Sequence, residues 1–164
     1  MTSGTVPQPP AVSDLDEGRI LVQAQEIVKR RLGSPRQRMS CAADVAALLT
    51  LHYAGRRTEA VTLLPLDSGN GLIDLLDVAE GTVDGSAVYP REVVREVIQQ
   101  DATGVIFAHD HPSGRTNPSE ADRQLTRRIG DALRSIDVRL LNHVVVGGAD
   151  YSSFADHREA SFAR

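Results

Sequence analysis

The chain has 164 residues, of which 41% are hydrophobic, and a formal net charge of −4. A chain of this length and composition can bury one compact core without cross-links. Its one cysteine, Cys41, excludes an internal disulfide and any cysteine-based zinc site, which is typical of a reducing compartment. We expect Cys41 to be a small side chain that is buried or half-buried.

The sequence pattern gives no sign of membrane insertion or export. No segment reaches the apolar length of a membrane span. Residues 1–16 carry prolines and acids where a signal peptide has a basic start and an apolar centre. We therefore expect a cytoplasmic protein that does not bind membranes, with a flexible tail over residues 1–16 and a single domain over residues 17–164.

The basic residues are seventeen arginines and one lysine, Lys29. Arginine favours bidentate contacts with carboxylates and phosphates, so nucleic acid is a partner to consider. DNA-binding domains, however, usually carry a basic patch and a high pI. Here the net charge is negative and the arginines alternate with acids, as in the segment 120–131. We therefore expect no direct contact with nucleic acid.

Hydrophobic periodicity and turn residues predict alternating helices and strands. In chain order these are a helix over 15–32, a helix capped by Ser40 and running to Tyr53, strands over 59–66 and 72–80 joined by a hairpin turn at 68–71, a helix over 90–100, a strand over 104–108, a helix from Ser119 and a strand over 140–146. The last strand, helix and strand predict parallel neighbours with a right-handed crossover. The whole order predicts an α/β sandwich.

Two histidines follow the apolar strand over 104–108, one at His109 and one at His111. Alternate residues of a strand share a face, so both imidazoles should point the same way while Asp110 points to the opposite side. One metal ion could then reach both histidines. Taken alone, a His-x-His pair at a strand end can also be two polar rim residues.

A loop rich in turn formers, residues 112–118, leads to Ser119 and Asp122. Ser119 is a candidate N-cap, and Asp122 falls at the third helical position, where the helix would carry it back towards the histidines. Two histidines and one aspartate leave a fourth position open, which suits a catalytic zinc better than a structural one. Ser119 and Asp122 also fit a capping box that serves only the helix.

The pattern His109-x-His111-Pro-Ser-Gly, followed by Ser119-x-x-Asp122, resembles the signature of the JAMM metallopeptidases, also called MPN-plus or JAB domains, and in detail their RadC branch. The resemblance covers roughly residues 20–155. It extends to the segments 59–67, 81–97 and 140–147. It implies a mixed sheet flanked by helices, with a cytidine-deaminase-like architecture, and one zinc per chain held by His109, His111 and Asp122.

The resemblance also implies a hydrolase of amide or isopeptide bonds that uses a metal-activated water. A family glutamate on an early strand acts as general base, and Glu59 stands at that place, with Glu80 and Glu92 as rivals. Ser119 would donate a hydrogen bond to the oxyanion of the tetrahedral intermediate. The implied substrates are proteins or peptides, such as ubiquitin-like conjugates. The alternative is a RadC-type module linked to DNA repair or partner docking, with a structural metal and no turnover.

Other metal-dependent hydrolases fit the spacing less well. A zincin helix, His-Glu-x-x-His, is absent, and a deaminase would need a Pro-Cys-x-x-Cys motif.

The remaining polar residues have weaker signals. We expect His143 to be a strand residue held by packing and one hydrogen bond, and His52 and His157 to be surface or rim residues. Arg115 could steer an acidic substrate or be solvated. Substrate-binding residues and the oligomeric state do not follow from the residues.

Overall fold

The computed structural model describes residues 36–81 and 88–157, together with Arg19 and Gln23. The chain divides into two units, Met1–Pro35 and Arg36–Arg164, and the fold described below is that of the second unit. The predicted tail over 1–16 and, apart from Arg19 and Gln23, the predicted helix over 15–32 lie outside the described residues. None of the described helices combines the length and the apolar character that crossing a membrane requires.

The second unit contains three helices and five strands among its described residues. They are α1 (Ala42–His52), β1 (Glu59–Leu66), β2 (Leu76–Gly81), α2 (Pro90–Gln99), β3 (Gly104–Asp110), α3 (Glu120–Arg134), β4 (Arg139–Gly147) and β5 (Asp150–Ser153). The strands form one sheet in the order β2-β1-β3-β4-β5. β3 pairs with β4 in parallel, and the other neighbours are antiparallel. The predicted α/β fold with a mixed sheet flanked by helices is confirmed.

The central strand β3 separates two hydrophobic cores. All seven of its residues are buried, as is expected of a strand covered on both faces. Ile106 and Ala108 pack in the core that contains Val45 and Leu49 of α1. On the other face, the core is built from β3, α2 and α3; it contains Val105, Phe107, Val93, Val97, Ile129 and Leu133. The alternation along β3 therefore assigns one face to α1 and the other to α2 and α3.

The second predicted strand begins later than the sequence indicates, at Leu76 instead of residue 72. The predicted turn is present, because the Asp67 carboxylate accepts hydrogen bonds from the backbone N–H groups of Gly69 and Gly71. Leu72 then forms an isolated bridge with Leu66, while its N–H donates to the Gln37 carbonyl. The residues after the turn are thus partly paired with an earlier segment, and the regular ladder resumes only at Leu76.

The start of α1 also differs from the prediction. The N-cap is Cys41, one residue after the predicted Ser40. The backbone N–H groups of both residues donate to the Asp44 carboxylate, which lies in the first turn of the helix and so fixes the segment that leads into it. Cys41 is exposed at this helix start, so the prediction of a buried or half-buried cysteine is wrong.

Asp110 joins β3 to β1 on the face of α1. Its side chain is buried, and its Oδ1 atom accepts a hydrogen bond of 2.6 Å from the backbone N–H of Ala60. This bond lies next to the first pair of the β1–β3 ladder, Val61 with His109. Asp110 therefore fixes the end of β3 from which the two histidines project.

Replacing Asp110 by alanine should destabilise the fold by about 1–3 kcal/mol, because the buried Ala60 N–H would lose its acceptor. Urea unfolding followed by circular dichroism measures this change. Asp131→Ala is the matched control, since Asp131 forms an exposed ion pair with Arg134, and its effect should stay within about 0.5 kcal/mol. Equal stabilities of the two variants would contradict the assigned role of Asp110.

Candidate metal centre

The sheet brings the two predicted histidines together. His109 lies on β3 two residues after Phe107, so its side chain shares the face of the core with α2 and α3. His111 follows the strand, and its N–H donates to the Val146 carbonyl of β4. The Nε2 atoms of the two imidazoles are 3.0 Å apart, while Asp110 points to the opposite face, as the spacing predicts.

The first turn of α3 adds Asp122 to the pair. Asp122 Oδ2 accepts hydrogen bonds of 2.7 Å from the N–H and from the hydroxyl of Ser119, and the Asp122 N–H donates to Ser119 Oγ at 3.1 Å. Oδ1 of the same carboxylate lies 3.5 Å from His109 Nε2. The helix cap and the approach to the histidines therefore coexist, because they use different oxygens of one carboxylate.

The donor set of the three side chains fits a divalent cation. His111 Nδ1 lies 2.7 Å from the Arg115 carbonyl oxygen, which can only accept, so Nδ1 carries the proton and Nε2 keeps its lone pair. One ligand atom from each of His109, His111 and Asp122 lies within 4.8 Å of the others. Imidazole nitrogen and carboxylate oxygen are atoms that zinc and related divalent metals bind. These three residues could therefore hold a metal ion.

Burial keeps the His109 imidazole in the neutral form that can bind a metal ion. Loss of solvent around the buried imidazole lowers its pKa to about 4, with the Asp122 carboxylate opposing the shift and His111 adding to it. His109 is therefore neutral at pH 7. A histidine must be neutral to bind a metal through its nitrogen lone pair.

Glu59 reaches the same cleft from β1. It precedes by two residues Val61, the partner of His109 in the ladder, so its side chain lies on the face of the histidines. The cleft has a volume of about 390 Å³. It is lined by Glu59, Val61, Val88, Tyr89, His109, His111, Ser119, Ala121, Asp122, Leu125 and Arg128. Burial raises the pKa of the Glu59 carboxyl, Asp122 adds to the rise and His111 opposes it.

The rival glutamates lie elsewhere. Glu80 pairs with Ala60, whose side chain belongs to the core of α1, so the pleat directs Glu80 away from the histidines. Glu80 is exposed and accepts a hydrogen bond from Thr58. Glu92 forms ion pairs with Arg91 and Arg95 on α2 and is not among the residues that line the cleft.

His143 is more closely connected to the site than the sequence predicts. It is fully buried, stacked on Phe154 and edge-on to Phe107. It makes two side-chain hydrogen bonds instead of the one expected, to His109 Nδ1 at 2.8 Å and to Thr126 Oγ1 at 2.6 Å. The register that pairs Phe107 with His143 produces this contact, and this register is not visible in the sequence.

The other residues singled out in the sequence lie at the edge of the site or away from it. The exposed Arg115 contributes its carbonyl to His111. The partly exposed His52 side chain forms a hydrogen bond with Asp77 of β2, and His157 is exposed. Arg128 on α3 also lines the cleft, although it belongs to the segment 120–131 in which arginines alternate with acids.

The loop between His111 and α3 rests on the end of β4. The Gly114 N–H donates to the His111 carbonyl, which closes a turn directly after the histidine. A Cβ atom on Gly147 would lie only 2.7 Å from the Gly114 carbonyl oxygen and 2.9 Å from the Thr116 methyl group. Because residue 147 is a glycine, the loop can lie close to the end of β4. This loop carries the Arg115 carbonyl that accepts a hydrogen bond from His111.

Comparisons with known proteins agree with this geometry. Residues 39–159 match the family described as RadC-like JAB domain. A UPF0758 protein of Vibrio cholerae is 41% identical over 136 residues, which cover 83% of this chain and 85% of that protein. A UPF0758 protein of Burkholderia cenocepacia is 44% identical over 138 residues, and one of Marinobacter nauticus is 40% identical over 136 residues.

The length of these relatives varies. The matched region covers 54% of the Burkholderia protein and 61% of the Marinobacter protein, so this chain spans between half and two thirds of their length. Residues 39–159, which match the family, include the described strands and helices, among them β3, the loop after it and α3. The fold, the His-His-Asp group and these similarities lead to one conclusion: the chain belongs to the RadC-like JAB domain family.

Proposed function

We propose that this protein is a zinc-dependent hydrolase that cleaves amide or isopeptide bonds with an activated water molecule. One observation carries the proposal: two imidazole Nε2 atoms and a carboxylate oxygen converge at the cleft that also holds the Glu59 carboxylate. Membership of the RadC-like JAB domain family supports it.

His109, His111 and Asp122 are the residues that would hold the zinc. When bound, zinc supplies Lewis acidity, which lowers the pKa of water towards neutrality and polarises a carbonyl group. Three protein ligands leave room for a further small ligand, as in catalytic zinc sites. The cleft in front of the three residues is accessible to solvent, since Tyr89 and Arg128 in its lining are exposed.

Glu59 is the general base of the proposed reaction. Its carboxylate accepts a proton from the attacking water while the water oxygen bonds to the scissile carbonyl carbon. The same carboxyl group then gives this proton to the amine as the C–N bond breaks. Partial burial favours this exchange, because it raises the pKa of Glu59 and so strengthens the carboxylate as a base.

Ser119 is the proposed donor to the oxyanion. In this structure its hydroxyl donates to Asp122 Oδ2. The hydroxyl must turn away from Asp122 to reach a substrate, and the Ser119 N–H, which binds the same Oδ2 atom, holds the carboxylate in place meanwhile. A rotation about the Cβ–Oγ bond frees the hydroxyl and leaves the hydrogen bond from the Ser119 N–H to Asp122 intact.

The cleft suits a peptide or protein substrate. Its lining combines apolar side chains, among them Val61, Val88 and Leu125, with the guanidinium of Arg128. We propose that the substrate is a peptide or protein amide, such as a ubiquitin-like conjugate, presented with apolar contacts next to the scissile bond. The alternative of a docking module with a structural metal predicts metal binding without turnover.

The purified protein should contain about one zinc per chain by elemental mass spectrometry. His109→Ala and Asp122→Ala should each lose it, because each removes one of three ligands. His157→Ala is the control, since His157 is exposed and outside the cleft, and it should keep the metal. A folded wild type that stays metal-free after incubation with zinc would mean that Ser119 and Asp122 form only a helix cap.

Glu59→Gln should reduce hydrolysis by about 100-fold or more while zinc content and thermal stability stay unchanged, because the amide cannot accept the proton. Cleavage of a library of internally quenched peptides and of ubiquitin-like conjugates provides the measurement. Glu80→Gln, on the opposite face of the sheet, should retain full activity. Loss of activity in Glu80→Gln but not in Glu59→Gln would contradict the assignment of Glu59 as the general base.

Ser119→Ala and Ser119→Gly should both lower kcat, by on the order of 100-fold, because neither has a hydroxyl to donate. Their stabilities should differ, since alanine at the N-cap costs about 0.5–2 kcal/mol and glycine only a few tenths. Steady-state kinetics and thermal melts on the same samples separate the two effects. If the glycine variant retained wild-type kcat, the serine would act on the helix alone.

A further inference from the structure

A line of buried hydrogen bonds runs from α3 through β4 to the candidate ligand His109. Thr126 Oγ1 lies 2.6 Å from the Asp122 carbonyl oxygen and 2.6 Å from His143 Nδ1. His143 Nε2 lies 2.8 Å from His109 Nδ1. Thr126 and His143 are fully buried and His109 is nearly so. Water therefore cannot replace a missing donor or acceptor, and each proton in the line must be supplied by the protein.

Two proton arrangements are compatible with the two histidines. In the first, the Thr126 hydroxyl donates to the Asp122 carbonyl, His143 donates to Thr126 through Nδ1, and His109 donates to His143 through Nδ1. In the second, the Thr126 hydroxyl donates to His143 Nδ1 instead of to the Asp122 carbonyl, His143 donates to His109 Nδ1 through Nε2, and His109 carries its proton on Nε2. The 2.6 Å contact between Thr126 Oγ1 and the Asp122 carbonyl favours the first, because a carbonyl oxygen only accepts and two oxygens this close need a proton between them.

The first arrangement determines which nitrogen of His109 is free. With the proton on Nδ1, the lone pairs of His109 Nε2 and His111 Nε2 face each other 3.0 Å apart beside Asp122 Oδ1, with no proton between them. A metal cation would stabilise these three converging acceptor atoms. With the proton on His109 Nε2, the same atom could not bind a metal. Two hydrogen bonds, through His143, connect the Thr126 hydroxyl to His109. The hydroxyl therefore favours the tautomer of His109 in which Nε2 is free to bind a metal.

We propose that Thr126 and His143 are positioning residues that hold His109 in the tautomer with a free Nε2 atom and so raise the zinc affinity of the site. The inference deepens the proposed function and rests on its metal site, but not on hydrolysis. Side chains that orient a metal-binding histidine in this way typically account for 10- to 100-fold in metal affinity.

Thr126→Val tests the hydroxyl with almost no change in side-chain shape. It should weaken zinc binding by about 10-fold or more, measured by competition with a chelator, since His143 Nδ1 would lose its acceptor and the line could reverse. Thr126→Ser restores the hydroxyl and should bind zinc like the wild type. Thr50→Val is the matched control, because Thr50 also donates to the carbonyl four residues earlier, Ala46, but lies on α1.

The proton on His109 gives a second readout that does not depend on a metal. Nitrogen-15 spectra of the zinc-free protein at neutral pH should show His109 protonated on Nδ1 in the wild type, Thr126→Ser and Thr50→Val. In Thr126→Val the proton should move to Nε2. His143→Gln should keep the proton on Nδ1, because the amide oxygen can accept it, whereas His143→Leu should not.

The two readouts separate the possible failures. Wild-type zinc affinity in Thr126→Val, or an equally weakened Thr126→Ser, would overturn the inference, as would an Nδ1 proton that persists in Thr126→Val and His143→Leu. If the wild type binds no zinc, the metal site of the proposed function fails, and the inferred gain in affinity fails with it. The spectra then still decide whether Thr126 and His143 set the tautomer of His109.

Discussion

The parallel pairing of β3 with β4 is the contact on which the candidate site depends. Parallel neighbours require a crossover, and here the crossover is α3. The chain leaves β3 at its carboxyl end, so the N-terminus of α3 must begin near that end. The histidines at the end of β3 and the aspartate in the first turn of α3 therefore meet as a result of connectivity, before any side chain contributes.

The same pairing sets the electrostatic character of the site. It buries His109 between the sheet and α3, and loss of water lowers the pKa of its imidazole. Burial of polar groups is costly unless each finds a partner. Among the residues that the structure describes, no buried side-chain nitrogen or oxygen lacks a hydrogen bond. Loss of water thus keeps His109 neutral, while the buried polar side chains of the described residues stay within hydrogen-bonding distance of partners.

Local spacing made much of this predictable. The order of elements, the shared side of His109 and His111, and the position of Asp122 in the first helical turn all follow from periods of two and 3.6 residues. The family resemblance added Glu59, and a one-residue difference in the pleat separates it from Glu80 on the other face. The periodic patterns need no knowledge of which strands pair, whereas the separation of Glu59 from Glu80 depends on the register of β1 with its neighbours.

The features that the sequence left hidden depend on pairing between distant segments. The contact of His143 with His109 requires the register of β3 and β4, which no local pattern encodes. The short strand β5, which pairs with β4 through residues such as Tyr151, was not predicted, because its four residues carry little strand signal. The exposure of Cys41 depends on a helix start that the sequence placed one residue too early.

A side chain at position 147 would disturb the candidate metal centre indirectly. The residue is not one of the three candidate ligands, yet a side chain there would collide with the backbone of the loop that holds the Arg115 carbonyl against His111. Natural sequences with a larger residue at this position would need a remodelled loop. A substitution of the buried Gly147 should therefore be classed with changes in the metal centre, although Gly147 supplies no ligand atom.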